Sequence, residues 1–282
     1  MRAHLLERQP PLVTEDDFIG TYQSSKSSHI SANLEFLAEH DVLPLTYLNP
    51  KLMEINKLVG WTMWSGCLQN NRGVLHKVPM GALTSLEDTL GMTFKDGSKG
   101  AVEFSPNNAY ARIMSLLGVR QGQGSKDKPD GKIGARLELP NYITFLRDHK
   151  KRVHFEEREI SNKVLIDFLQ TLMHSKLYKA RGVKFELNLN DSASEFQARY
   201  FANEIIGLFT AAYPAIGLSE ENITCWKAKG REAHSTKISF KREEIMNGIA
   251  EYGLFGLSFQ GHYHNFGDRP DVTSGGASFL NG

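Results

Sequence analysis

Residues 183–190 read Val183-Lys184-Phe185-Glu186-Leu187-Asn188-Leu189-Asn190, with apolar and polar side chains in strict alternation. A period of two marks a strand with one face buried and one face wet. Asp191-Ser192-Ala193-Ser194-Glu195 follows, and Ser192 with Glu195 has the spacing of a capping box that opens a helix. Phe196, Tyr200, Ile205, Ile206 and Phe209 carry that helix to Tyr213-Pro214, and Gly217 closes it. Ile223 to Lys229 then predicts a strand, Gly230 to His234 a turn, and Ser235 to Lys241 a returning strand with Ile238 and Phe240 on its apolar side. A helix from Arg242 to Tyr252 ends the segment at Gly253.

Working back toward the N-terminus, the same order returns. Gly100 to Ser105 is strand-like, and Pro106 to Leu117 is a helix stopped by Gly118. Residues 121–131 are a polar, glycine-rich connection, Lys132 to Leu139 alternates as a strand, and Asn141 to His149 is a short helix. Strand–helix–strand–strand–helix therefore occurs twice, about 100 residues apart, as a duplication of an α/β unit would require. An apolar helix precedes each copy, one over Leu52 to Leu68 and one over Lys163 to Leu177. The expected fold is α+β, built from two α-β-β-α-β-β-α units at 51–152 and 153–253, with residues 81–99 an insertion in the first. Residues 1–50 form an N-terminal extension with a helix over Ile30 to His40, and residues 254–282 a glycine-rich tail expected to order only against a partner.

An apolar fraction of 40% with 10% aromatic residues supports a sizeable core. The longest uncharged stretch, Ile205 to Leu218, is broken by Thr210 and Pro214 and is too short for the roughly 20 apolar residues of a membrane span. Met1 to Arg8 has no apolar core of a secretory signal, so none is expected. Cys67 and Cys225 are the only cysteines, which excludes a disulfide framework and a four-thiolate zinc site; both read as small apolar residues. The net charge of +1 conceals an uneven distribution. Residues 1–50 carry seven acidic against three basic side chains, whereas 120–152 carry nine basic against four acidic and 227–242 six basic against one. Local fields of opposite sign matter to a polyanion even when they cancel overall.

The two apolar helices resemble the motif helices of the LAGLIDADG homing endonuclease and maturase family. Leu58-Val59-Gly60-Trp61-Thr62-Met63-Trp64-Ser65-Gly66 keeps the leucine and both glycines of that motif at their spacing. Leu169-Gln170-Thr171-Leu172-Met173-His174-Ser175-Lys176-Leu177 keeps mainly its apolar frame. The resemblance covers roughly residues 50–253 and implies a pseudo-symmetric saddle, a monomeric pseudo-dimer with two central helices, straddling a nucleic acid. In that family the last acidic residue of each motif helps to hold divalent metal, which activates water against a phosphodiester. Here Ser65 and Lys176 occupy those places. A hydroxyl is a poor Mg²⁺ ligand and an ammonium repels the ion, so the resemblance implies no catalytic residue, metal or cofactor. Asp167 and Glu54 lie on the same helices but two or more turns from those ends. Gln170-Thr171 replaces a small pair and should reshape the seam between the helices.

The expected binding surface is the polar strand faces: Lys77, Lys132 and Arg136 in the first half, and Lys184, Asn188, Lys237, Ser239 and Lys241 in the second. Lys227, Lys229 and Arg231 approach a hairpin tip, where phosphate contact is natural. Trp226 reads as a core or domain-contact residue, with stacking on an unpaired base as the alternative. His262 and His264 have no acidic or cysteine partner at ligand spacing and read as a surface pair. Gly122 and Gly124 lack the preceding strand and following helix of a nucleotide-phosphate loop.

The expected function is a non-catalytic RNA-binding protein, a structural component of an organellar ribosome or an intron-splicing factor. Its partners would be ribosomal or intron RNA, and neighbouring proteins bound through 1–50 and 254–282, with no membrane. The organellar location, mitochondrial matrix before chloroplast, follows from the resemblance alone. Two alternatives stay open: an active DNA homing endonuclease with a rearranged metal site that includes Asp167, and a protein–protein scaffold.

Overall fold

The computed structural model describes residues 4–21, 27–69, 72–76, 78–96, 101–105, 107–119, 138–179, 184–192, 194–227 and 233–241. The connection 121–131, the helix expected from Arg242 and the tail with His262 and His264 lie outside these residues. So does the strand expected over 132–139, except for Glu138 and Leu139, which are not in a strand. The chain is α+β and divides into two compact units, Met1–Gly122 with Pro140–Phe168, and Gln123–Leu139 with Leu169–Gly282.

The first unit contains α1 (Glu15–Gly20), α2 (Ser27–Glu39), α3 (Leu52–Ser65), β1 (Gly66–Gln69), β2 (Arg72–His76), α4 (Met80–Leu90), β3 (Thr93–Asp96), β4 (Ala101–Ser105), α5 (Asn107–Leu116), α6 (Asn141–His149) and the first part of α7 (Phe155–Lys176). Its four strands form an antiparallel sheet in the order β1-β2-β4-β3. The second unit contains the end of α7, β5 (Leu177–Lys179), β6 (Lys184–Ser192), α8 (Glu195–Ala212), β7 (Ile223–Lys227) and β8 (His234–Lys241), with strands in the order β5-β6-β8-β7. Within each unit the strands follow one another in space in the same first-second-fourth-third order, each set entered from a long helix.

The shared strand order aligns the two sheets differently from the sequence pattern. β1 and β2 correspond to β5 and β6, α4 to α8, and β3 with β4 to β7 with β8. Residues 81–99 are therefore not an insertion; they hold α4 and β3. The cause is local. Leu83, Leu86 and Leu90 bury one stripe of α4, and Gly91 stops it at φ 62° in the left-handed region. Lys51 Nζ donates to the Thr89 carbonyl at 2.7 Å and the Tyr110 hydroxyl to the Leu90 carbonyl at 2.5 Å, satisfying two of the last carbonyls of α4. α3 is also shorter than expected, because its last residues pass into β1 at Gly66.

The N-terminal extension belongs to the core of the first unit. Leu6, Val13, Phe18, Leu37, Val42, Leu45 and Tyr47 are all buried. Val13 bridges Leu45, and Arg112 of α5 donates to the Thr21 carbonyl and hydroxyl at 2.9 and 2.8 Å. α1 starts on a capping box in which Thr14 and Asp17 bond reciprocally. Those hydroxyl and backbone bonds hold the Asp17 carboxyl below its usual range. Glu157, in the first turn of α7, accepts the backbone N–H groups of Leu5, Leu6 and Glu7 at 2.8, 2.9 and 3.2 Å.

In the second unit α8 lies on the apolar face of its sheet. Ala198, Phe201, Ala202, Ile205, Ile206, Leu208, Phe209 and Ala212 form one buried stripe. Phe209 meets Phe240 edge to face at 5.4 Å. The N-cap of α8 is Ser194, whose hydroxyl accepts the Gln197 N–H, and not Ser192. β6 runs two residues beyond the alternating stretch through an irregularity between Leu189 and Ser192, so Ser192 is still paired, with His234. Among the described residues no helix is long and apolar enough to cross a membrane.

Candidate nucleic-acid interface

Cross-strand partners share a face, so register fixes what each side of the second sheet carries. Leu187 and Ile223 both pair with Ile238, and Phe185 pairs with Phe240; this is the side that α8 covers. The other side runs in rows: Lys184 with Lys241, Glu186 with Ser239, then Asn188 with Lys237 and Thr224, then Ser235 with Trp226. Four of the five second-half residues expected there are joined in adjacent rows by their strand backbones, and Lys184 belongs to the same face by register. Asn188 and Lys241 are exposed, Lys237 and Ser239 half-buried.

The electrostatics of this face are milder than a count of lysines implies. Lys237 Nζ donates to Glu186 Oε1 at 2.6 Å, with the two side chains 26% and 13% exposed. Glu186 occupies the same face, so among its described side chains Lys237 and Lys241 are set against one carboxylate. Ser239 contributes through its backbone: its carbonyl accepts the Asn222 side-chain N–H at 2.8 Å, pinning the turn that feeds β7. Lys227 is exposed but alternates with Cys225 and Ile223, which places it on the helix-covered side at the strand's end, opposite His234. Lys229 and Arg231 lie outside the described residues.

Trp226 corrects the core reading. It is 43% exposed and shares the polar face with Thr224 and Lys237. Its position was hidden because β7 (Ile-Thr-Cys-Trp-Lys) mixes apolar and polar residues on both sides.

In the first sheet, Cys67, Val74, Glu103 and Lys95 form one cross-strand row. Lys77, Lys132 and Arg136 lie outside the described residues, so none of the expected first-half residues is placed. Thr93 and Lys95 are exposed on the polar side, a pair missed because their strand was taken for insertion. The signal was there: Thr93-Phe94-Lys95 alternates, and Phe94 pairs with Phe104 on the opposite face. Lys95 is the register partner of Glu103 across the ladder.

At the motif helices, α3 meets the first half of α7 within the first unit. Asn56 donates to the Val164 carbonyl at 2.8 Å and accepts from the Tyr142 hydroxyl at 2.8 Å, and Trp64 packs edge to face on Phe168 at 5.5 Å. Burial, with the neighbouring Tyr47, pushes the Tyr142 hydroxyl well above its ordinary pKa, so it stays a donor. Ser65 donates to the Trp61 carbonyl at 3.2 Å, a bond within its own helix, and Lys176 ends α7.

Asp167 and Glu54 do not make a metal cage. Glu54 is held by Lys57 at 2.6 Å and accepts from Ser85 at 3.1 Å. Burial raises the Asp167 pKa, Lys57 and Lys163 partly restore its charge, and Glu54 opposes it. Among the described residues no group of three or more His, Cys, Asp or Glu is placed to hold a metal ion. The arrangement is therefore equipped for contact by hydrogen bonds, charge and one exposed indole. The chain matches no protein-family profile and no curated protein.

Proposed function

We propose that the chain is a non-catalytic RNA-binding protein on a duplicated LAGLIDADG-like scaffold, acting as a structural component of an organellar ribosome or as a splicing factor. The observation that carries this reading is the polar face of the second sheet, where Lys184, Asn188, Lys237, Ser239 and Lys241 are brought together in register. Lysines on such a face meet phosphates, and amide and hydroxyl side chains meet sugar and base edges. The shared strand order of the two sheets supports the duplication, and on this reading the sheets together form the saddle. Ser65 and Lys176 at the two motif ends support loss of metal chemistry. Residues 1–50 and 254–282 are the proposed contacts to neighbouring proteins in the assembly; the buried side of the former already serves its own unit.

Filter binding to a structured RNA tests the reading. Affinity should fall roughly 20- to 150-fold between 0.05 and 0.2 M salt, the slope expected of three to four phosphate contacts. The pair Lys237→Ala and Lys241→Ala should weaken binding and reduce the slope by about 1–2. The effect of Lys237→Ala should exceed one phosphate contact, because it also leaves Glu186 unpaired on the face. Binding indifferent to salt and to both substitutions would overturn the proposal.

A further inference from the structure

Trp226 is the only aromatic residue of β7 and β8 on the polar side of the second sheet. It belongs to the edge strand β7, directly opposite Ser235 and diagonal to Lys237. Diagonal neighbours on a sheet lie about 7–8 Å apart at their backbones, within reach of long side chains. Thr224 is two residues along the same strand, and Asn188 lies beyond Lys237 in the next row. The indole is 43% exposed, on a face that also carries the Thr224 hydroxyl and the Asn188 carboxamide. Its surroundings are not those of an apolar docking patch. Phe196 and Tyr200, the other large exposed aromatics among the described residues of this unit, sit on α8 across the sheet and do not extend the surface.

A paired base offers its edges to a groove and keeps its faces stacked inside the helix. A flat indole on a sheet can be used only by a base that has left that stack. We infer that Trp226 is a stacking platform for a single unpaired nucleobase, with Asn188 in the next row for a sugar or base edge; Lys237, which holds Glu186, must exchange that carboxylate for the adjoining phosphate. The inference rests on the RNA-binding reading and names the part of the RNA that this face takes: a bulge, loop or single-stranded end. Stacking tolerates any base because every base has a π-face, so the site selects unpaired structure before sequence.

The test compares two probes, a decauridylate and a fully paired RNA duplex, against the full chain and its Trp226→Ala and Trp226→Phe variants. Trp226→Ala should weaken decauridylate binding about 10- to 100-fold, change duplex binding less than twofold, and leave the salt slope unaltered. Trp226→Phe should restore most of the lost affinity, since a smaller ring still stacks. Binding of decauridylate should also quench the red edge of the tryptophan emission, where exposed Trp226 contributes and buried Trp61 and Trp64 do not. Thermal midpoints of the variants, unchanged for an exposed residue, keep a folding defect from imitating the result. If Trp226→Ala binds decauridylate like the parent, or loses both probes equally, the stacking site is overturned while RNA binding stands. If the parent binds neither probe, both readings fall together.

Discussion

Glu157 is 3% exposed, yet its carboxylate accepts four backbone N–H groups, from Leu5, Leu6, Glu7 and His154. Burial alone would favour the protonated form. The four donors outweigh it together and hold the pKa below its ordinary 4.5. A depressed pKa in the folded chain contributes stability above the unfolded value, and that contribution is lost as pH falls through the folded one. Glu157→Gln keeps the shape but offers a neutral carbonyl and an unwanted N–H to the same donors. It should cost about 1–3 kcal/mol at pH 7. The deficit should shrink as pH falls below 4.5 and through the lower folded value, where the parent carboxylate is itself neutralised. Urea melts of both proteins at pH 7 and pH 3 check this, and a deficit independent of pH would contradict it. No sequence pattern points to Glu157: its partners lie about 150 residues away, and only the fold brings the first turn of α7 to that loop.

Gly66 joins α3 to β1, and its backbone is extended, so glycine is not needed there for its dihedral angles. It is needed for space. A Cβ at Gly66 would overlap the Val74 carbonyl oxygen on β2 and come to 3.0 Å from the Thr62 Cα, both backbone atoms with little room to yield. Gly66→Ala should therefore destabilise the first unit by about 1–3 kcal/mol. Gly81→Ala, in α4 with nothing within 4 Å of the new methyl, should instead stabilise by about 0.5–1 kcal/mol through helix propensity. Thermal denaturation of the two variants should move in opposite directions. Legibility follows the same element scale. β6 and β8, nine and eight residues long, show their alternation plainly. β1, β2 and β3, at four or five residues, are too short for a period to separate them from a helix end or a loop. A repeated element order is legible, but its alignment shifts when Gly100–Ser105 is matched to the long strand. The leucine stripe closed by Gly91 was the clue that would have prevented the slip. At the site, alternation alone placed Lys184, Asn188, Lys237 and Lys241 on one face and put Glu186 among them. The face of Trp226 required its pairing with Ser235, which no local pattern encodes.

The charge of +1 for the whole chain says little about any surface, because groups that respond to pH and salt are distributed by the fold. Three buried tyrosines of the first unit set its alkaline limit. Burial pushes Tyr47 up to about 12, and Tyr110 and Tyr142 still higher. Tyr110 and Tyr142 also donate hydrogen bonds, to the Leu90 carbonyl and to Asn56, that an ionised phenol would forfeit. A raised pKa in the folded chain contributes stability fully present below the unfolded value near 10, lost as pH rises through the folded one. Glu157 acts on the acid side and these tyrosines on the alkaline side, so neither alters stability near neutral pH. Salt titrations of the proposed RNA binding belong in that window, away from both limits. Above pH 10 the thermal midpoint should fall. Tyrosinate absorbance should rise in steps, with Tyr47, Tyr110 and Tyr142 contributing only as the first unit unfolds; Tyr213 is buried as well, in the second unit. A single smooth titration of all nine near pH 10, with secondary structure intact, would contradict the buried hydroxyls and the Asn56 node that joins α3, α6 and α7.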